Sequence, residues 1–158
     1  MELFSNTPLM IALFAIIFAQ FIKIPIQYAV TRELDWKLFS STGGMPSSHS
    51  AAVTSLTTAV AYEHGVGSTI FAVSTMFAVI TMYDATGVRF QAGQQALTIN
   101  KLRSDLQLFM NETRDWAKKK EEEKIEELKT LLGHKPSEVF MGALTGIAIS
   151  VFVYNMIL

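Results

Sequence analysis

The sequence contains no cysteine, and long stretches at both of its ends are almost free of charge. The absence of cysteine from 158 residues excludes disulfides and thiolate metal sites. Residues 1–22 carry Glu2 as their one charged side chain, and residues 140–158 carry none. A net charge of −1 gives the protein no general affinity for nucleic acid, so we expect no nucleic-acid partner. The nearly uncharged ends instead leave room for apolar membrane segments.

The rest of the composition predicts a membrane protein. Half of the residues are hydrophobic and the mean hydropathy is +0.31, which is high for a soluble domain. Apolar segments separated by polar loops predict one all-α domain over 1–158, an integral membrane bundle of about four transmembrane helices. The predicted spans are 3–22, 49–63, 69–84 and 138–158.

The first two predicted spans differ in character. The first run follows no Lys or Arg and has no cleavage pattern, so it is expected to be a retained anchor, with Lys23 and Pro25 marking its exit. The segment 49–63 is short and rich in Ser, Thr and Ala. It would cross the bilayer only if it were packed centrally and shielded from lipid.

The charge-dense segment 90–132 predicts a cytoplasmic helical arm. Leu102, Leu106, Phe109, Thr113 and Trp116 follow a helical stripe. Three lysines and then three glutamates over 118–123 allow i,i+4 pairs on a solvated face. A lysine cluster that binds anionic lipid is the alternative.

The distribution of Lys and Arg predicts the topology. They are concentrated in the first and third loops, so the positive-inside rule places both of these loops in the cytoplasm and both termini outside a cell membrane that the chain crosses several times. His64, in the turn after the second span, falls on the opposite face, and we assign it no role in the site. The polar groups of four segments then converge at the cytoplasmic face.

A glycine- and serine-rich loop, Gly43 to Ser50 (GGMPSSHS), runs into the second apolar segment. Glycines such as Gly44 allow close backbone approach, and the amides of a helix N-terminus favour anions. An ordinary helix cap by Ser47 or Ser48 is the alternative interpretation. His49 occupies the position of a proton donor to a bound phosphoryl group.

The converging residues suit phosphoryl transfer. Cations and amides neutralise the oxygens on phosphorus, one imidazole attacks, and a second protonates the leaving oxygen. Glu138 lies one helical turn after His134 and can orient its ring, while His49 supplies the second imidazole. Asp84 is a candidate partner of Arg89, either as a structural ion pair or within a phosphate site.

Three strings resemble a known family. They are PSSH at 46–49, LGHKPSEV at 132–139 followed by Gly142-Ala143, and YDATGVR at 83–89. The first two resemble motifs of the type 2 phosphatidic acid phosphatase and vanadium haloperoxidase superfamily. The whole chain resembles most closely its divergent, YuiD-like branch of bacterial membrane proteins.

This resemblance implies a membrane phosphatase that hydrolyses a lipid phosphate monoester or pyrophosphate without a metal or cofactor. His134 would be the nucleophile that forms a phosphohistidine, Glu138 its orienting acid, and His49 the general acid. The groups expected to hold phosphate are Ser47, the amide of Ser48, Lys23 and Arg32.

The chain departs from the superfamily pattern at several positions. Leu128 occupies the place of the third-motif arginine, and we expect Arg89, held by Asp84, to replace it. Glu138 replaces an aspartate, Ser48 replaces a glycine, and Lys23 and Arg32 are spaced more widely. A second hypothesis is therefore a protein that keeps the fold and binds an anion or phospholipid without turnover. The predicted partners are a lipid phosphate and membrane lipids, with self-association through the Gly142/Gly146 face or the arm as an option.

Overall fold

The computed structural model describes residues 2–32, 34, 36, 39, 43–112 and 133–157. A short 3-10 turn at Glu2–Ser5 precedes five helices. The helices are α1 (Thr7–Thr31), α2 (Ser48–His64), α3 (Thr69–Thr86), α4 (Val88–Glu112) and α5 (Pro136–Met156). None of the residues in these ranges forms a strand, so the all-α prediction is confirmed for them.

Among the described residues, three helical stretches are long and apolar enough to cross a membrane. They are Thr7–Thr31, Thr69–Gln107 and Pro136–Met156. α2, with 17 residues, is not among them. At about 1.5 Å per residue it would extend about 26 Å, short of a hydrocarbon core about 30 Å thick. The predicted fourth crossing therefore stays a prediction.

α2 is the inner helix of the bundle. It packs against α1, α3 and α5, the central position expected of its small, polar side chains. A Cβ on Gly146 would lie 2.2 Å from the carbonyl oxygen of Ala51. The hydroxyl of Ser150 donates to the carbonyl of Ser55 at 2.7 Å, and that of Thr54 to the carbonyl of Ala143 at 3.1 Å.

The small-residue pair Gly142 and Gly146 is thus used inside the chain. A Cβ on Gly142 would lie 2.3 Å from the carbonyl oxygen of Ser47. Because α2 covers both glycines, this face does not offer the surface for self-association that the sequence suggested. Self-association through other surfaces stays a prediction.

α1 continues beyond the expected membrane exit. Pro25 lies inside the helix, which ends at Thr31. A proline removes one backbone hydrogen bond and strains the preceding turn, but packing can carry a helix through it. Lys23 consequently lies within a helix instead of a loop. Arg32 caps the helix end in a left-handed conformation, with φ of 62°.

α4 begins directly after α3 and covers the first part of the segment 90–132 in which the arm is predicted. The two helices are separated at Gly87, whose N–H donates to the carbonyl of Tyr83 at 2.8 Å. Of the other helices in the described ranges, α4 packs against α3 alone. The segment 113–132, with Trp116 and the lysine and glutamate triplets, lies outside the described residues, so the arm stays a prediction.

Candidate active site

His134 and Glu138 form the centre of the site at the N-terminus of α5. Glu138 is in the first turn of the helix and His134 lies just before it. The Nδ1 atom of His134 is 3.1 Å from Oε2 of Glu138, the contact expected from their spacing. The same oxygen accepts the backbone N–H of Lys135 at 3.2 Å, and the N–H of His134 donates to the carbonyl of Ala85 at 3.0 Å. Only 2% of the surface of His134 is exposed, so the residue is buried.

His49 lies beside His134 although the two are far apart in the sequence. Their ring centroids are 5.9 Å apart and the rings meet edge to face at 61°. His49 is in the first turn of α2, and the N–H of Ser47 donates to the carbonyl of Glu138 at 2.9 Å. This backbone bond ties the glycine- and serine-rich loop to the start of α5, and so fixes the distance between the two histidines.

Both histidines open onto a cavity of about 50 Å³ at one end of the bundle. The residues that line it are His49, Thr81, Asp84, Ala85, Arg89, Gly133 and His134. A cavity of this size has room for a group no larger than a few water molecules, such as one phosphoryl group. Four of the predicted site residues therefore meet in one cavity: the two histidines, Asp84 and Arg89.

Asp84 and Arg89 form the ion pair that their spacing suggested. Nε of Arg89 lies 2.5 Å from Oδ2 of Asp84, and both side chains are substantially exposed. Because the pair spans the break at Gly87 between α3 and α4, it holds the guanidinium at the mouth of the cavity. Exposure means that the pair itself contributes little to stability.

Sequence reasoning missed Thr81, Ala85 and Gly133. Thr81 lies one helical turn before Asp84, so the helical period could have identified it. Gly133 has a φ of +81°, and a Cβ there would lie 2.2 Å from the backbone nitrogen of Phe90. This glycine lets the chain before His134 press against the start of α4. The position of Gly133 directly before the candidate nucleophile His134 is the sequence feature that could have identified it.

Lys23 supports the loop without lining the cavity. Its Nζ donates to the carbonyl of Gly43 at 3.0 Å, and 1% of its surface is exposed. Gly44 follows with a φ of +89°, a conformation that favours glycine. Lys23 therefore joins α1 to the turn that leads into His49.

Besides Lys23, three further residues predicted to hold phosphate do not line the cavity. The hydroxyl of Ser47 is fully buried and caps α2, accepting the N–H of Ser50 at 3.3 Å and its hydroxyl at 3.1 Å. Ser48 is buried as the first residue of α2, and Arg32 is exposed at the end of α1. The capping interpretation thus describes the Ser47 side chain in this structure, and the phosphate roles of all three residues stay predictions.

His49 has a lowered pKa. Burial is the largest cause, and the positive potential of His134, Arg89 and Lys23 acts in the same direction, while Asp84 opposes it. His49 lies outside the three candidate membrane-spanning helices. An anion bound among these groups would raise the pKa of His49 again.

The chain matches a family model and a bacterial membrane protein over most of its length. The model of the divergent PAP2 family matches residues 4–149. The chain is 63% identical to the uncharacterized membrane protein YuiD of Bacillus subtilis (strain 168) over 150 residues, which cover 95% of each protein. No solved structure matches the chain.

Proposed function

The chain belongs to the divergent PAP2 family, and on that premise we propose that it is a membrane phosphatase that hydrolyses a lipid phosphate through a phosphohistidine. The substrate is a monoester or pyrophosphate presented at the cytoplasmic face of the cell membrane. Both termini lie outside. No metal takes part, since two imidazoles, a carboxylate and a guanidinium supply the groups that the reaction requires.

The observation that carries the proposal is the environment of the His134 ring. Nδ1 faces Glu138, so the carboxylate selects the tautomer with hydrogen on Nδ1 and a lone pair on Nε2. Nε2 is buried and meets no hydrogen-bond partner among the described residues. A buried ring nitrogen with a lone pair, beside a second imidazole and a guanidinium, is the arrangement that a phosphorus nucleophile needs.

The reaction then proceeds in two steps, formation and hydrolysis of the phosphohistidine. Nε2 of His134 attacks phosphorus, the bond from phosphorus to the leaving oxygen breaks, and protonated His49 gives that oxygen its proton. Neutral His49 next takes a proton from water, and the hydroxide attacks the phosphohistidine. The P–N bond breaks, His134 regains its lone pair, and inorganic phosphate leaves. Glu138 stabilises the His134 imidazolium in both steps.

Arg89 supplies the cation that the third motif lacks at Leu128. The guanidinium reaches the cavity from the start of α4, and Asp84 holds it there. Its planar donors match the equatorial oxygens of a phosphoryl group. Lys23, buried one helix away, adds positive potential, which its effect on the pKa of His49 indicates.

The sidedness rests on where the cations lie. α1 and α3 end, and α2 and α5 begin, at the end of the bundle that holds the site. Lys23, Arg32 and Arg89 lie at that end, and the positive-inside rule places such an end in the cytoplasm. A lipid phosphate made on the inner leaflet would reach the cavity without crossing the membrane.

Phosphate release from a panel of lipids tests the proposal. Purified protein in detergent is given diacyl phosphatidic acid, phosphatidylglycerophosphate and polyprenyl pyrophosphate. Wild type is expected to release phosphate from at least one of them, and His134→Ala to lose that activity. Ser137→Ala is the matched control. The side chain of Ser137 is exposed in the first turn of α5, so this variant should behave as wild type.

The opposite result would favour the second hypothesis. If wild type and His134→Ala release phosphate at equal rates across the panel, no phosphohistidine forms on His134. If neither protein releases phosphate and both bind these lipids, the chain keeps the fold and its anion pocket without turnover.

A further inference from the structure

We infer that the protein has a second lipid site, for an amine-headed phospholipid, at the opposite end of α2. α2 runs from His49 in its first turn to Glu63 and His64 in its last. The rise of a helix over that length puts about 21 Å between the two ends. This site is therefore separate from the candidate active site, and its occupation does not depend on catalysis.

The shape of the bundle creates the site. α1 and α3 each pack against α2 but make no contact with each other within the described ranges. A cleft remains between them, and the outward face of α2 is its floor. At the end of the bundle where α2 finishes, the cleft widens to a cavity of about 430 Å³, far larger than the cavity at His134.

The lining of this cleft is divided into an apolar and a polar part. Its apolar part is Pro8, Leu56, Val60 and Ile70, and its polar mouth is Ser5, Asn6, Thr7, Glu63 and His64. Leu56 and Val60 are one helical turn apart on α2, and Glu63 and His64 follow one turn later. The polarity thus changes along one helix face, as in a lipid from acyl chain to headgroup.

The charge of the mouth selects the headgroup. Glu63 carries the carboxylate there, and its Oε1 accepts the hydroxyl of Tyr154 at 2.7 Å, which fixes the side chain. The ring of Tyr154 stacks on Tyr62 at 4.8 Å. Lys and Arg are absent from residues 1–22, 50–75 and 139–158, the segments that form this end. Among the described residues of this end, Glu63 has no Lys or Arg beside it, and such a carboxylate attracts an ammonium group and repels an anionic head.

These features together favour one occupant. The acyl chain of this lipid lies along Leu56 and Val60. It gives these apolar side chains the van der Waals contacts that an empty cleft would lack. Its ammonium group meets Glu63, and His64 lies beside the phosphodiester. A free amine would use the mouth alone and gain nothing from the apolar floor, so the ligand is a phospholipid such as phosphatidylethanolamine.

Native mass spectrometry of delipidated protein in detergent tests this assignment. Phosphatidylethanolamine and phosphatidylglycerol with identical acyl chains are titrated separately. Wild type is expected to retain the amine lipid more tightly, and Glu63→Gln to weaken its binding by about three- to tenfold, because a charge-assisted hydrogen bond is lost. Glu63→Gln keeps an oxygen for Tyr154, so the fold should persist. Asp105→Asn removes one exposed carboxylate of α4 and is the matched control, expected to bind as wild type.

Two further measurements locate the ligand. Ile70→Trp narrows the cleft from an exposed position on α3 and should weaken binding of the amine lipid. Free ethanolamine, at the concentration of the lipid, should not displace it. Equal retention of the two lipids, an undiminished preference in Glu63→Gln, unchanged binding in Ile70→Trp, or displacement by ethanolamine would each overturn the inference. Phosphate release, measured separately, judges the active-site proposal alone.

Discussion

His49 and His134 meet edge to face with 5.9 Å between their ring centroids, although His49 belongs to α2 and His134 lies just before α5. The contact depends on the packing of α2 against α5, which Gly142 and Gly146 make close enough. The carboxylate of Glu138 contacts the ring of His134 and orients it, and it makes no such contact with the ring of His49. This asymmetry is the physical basis for giving the two rings different roles.

Glu138→Gln is expected to lower kcat by roughly 10²–10⁴-fold, because an amide no longer stabilises the imidazolium or selects the tautomer of His134. KM should change little, since Glu138 faces the ring and not the substrate. Steady-state kinetics of phosphate release measure both. Asp105→Asn, an exposed carboxylate of α4, serves as the control. A Glu138→Gln variant with the kcat of wild type would show that the contact only caps α5.

Arg89→Ala and Asp84→Asn separate two interpretations of their ion pair. If Arg89 holds the phosphoryl group, its loss lowers kcat/KM by roughly 10²–10³-fold, whereas Asp84→Asn keeps the guanidinium and loses much less. If the pair only joins α3 to α4, the two variants should be equally impaired. Kinetics and thermal unfolding of both variants, compared with wild type, decide between these outcomes.

Anion binding is expected to draw a proton onto His49. Burial and the neighbouring cations lower the pKa of this ring, which favours its unprotonated form. A bound dianion offsets the cations, raises the pKa, and causes net proton uptake. Sulfate is a suitable probe because its charge is constant between about pH 6 and pH 8, where histidine titrates. Calorimetry in two buffers of different ionisation enthalpy measures the uptake.

The variant His49→Gln should abolish that uptake while still binding sulfate. Identical proton uptake in both proteins would assign the titration to another group.

The lowered pKa of His49 also has a consequence for stability. Because the pKa of His49 is lowered in the folded protein, the unfolded chain binds a proton there first as the pH falls. The shift therefore leaves the free energy of unfolding unchanged above the ordinary histidine pKa and reduces it as the pH drops below that value. His49→Gln should therefore lose less thermal stability on acidification than wild type.

Gly133→Ala is expected to impair catalysis by displacing two site residues at once. A Cβ at Gly133 would collide with the backbone of Arg89 and Phe90, whereas one at Gly65 would meet nothing within 4 Å. Both glycines have a positive φ, +81° and +77°. Gly65→Ala therefore measures backbone strain without a steric collision, about 1–3 kcal/mol.

The difference between the two alanine variants reports the positioning. Phosphate release should fall by about 10²-fold in Gly133→Ala, since a displacement of about 1 Å can cost this much. Gly65→Ala should keep the turnover of wild type. Equal turnover in both variants would show that the contact with α4 does not position His134 or Arg89.

Local spacing in the sequence was enough for some of these features. Apolar runs predicted the helices, because burial of side chains in a membrane requires them to be apolar. The i,i+4 spacing of His134 and Glu138 and the short separation of Asp84 and Arg89 predicted two side-chain contacts that the structure contains. Such contacts need only the geometry of one helix or one turn.

The tertiary structure decided the rest. Pro25 does not end α1, Lys23 is buried against Gly43, and the Ser47 hydroxyl caps α2. The packing of α5 and α3 around α2, and not the spacing along any one helix, selected Thr81, Ala85 and Gly133 as lining of the cavity. The sequence by itself therefore determined the helices and the candidate reacting groups. Only long-range packing decided which of them meet, because contacts between helices depend on shapes that no single segment contains.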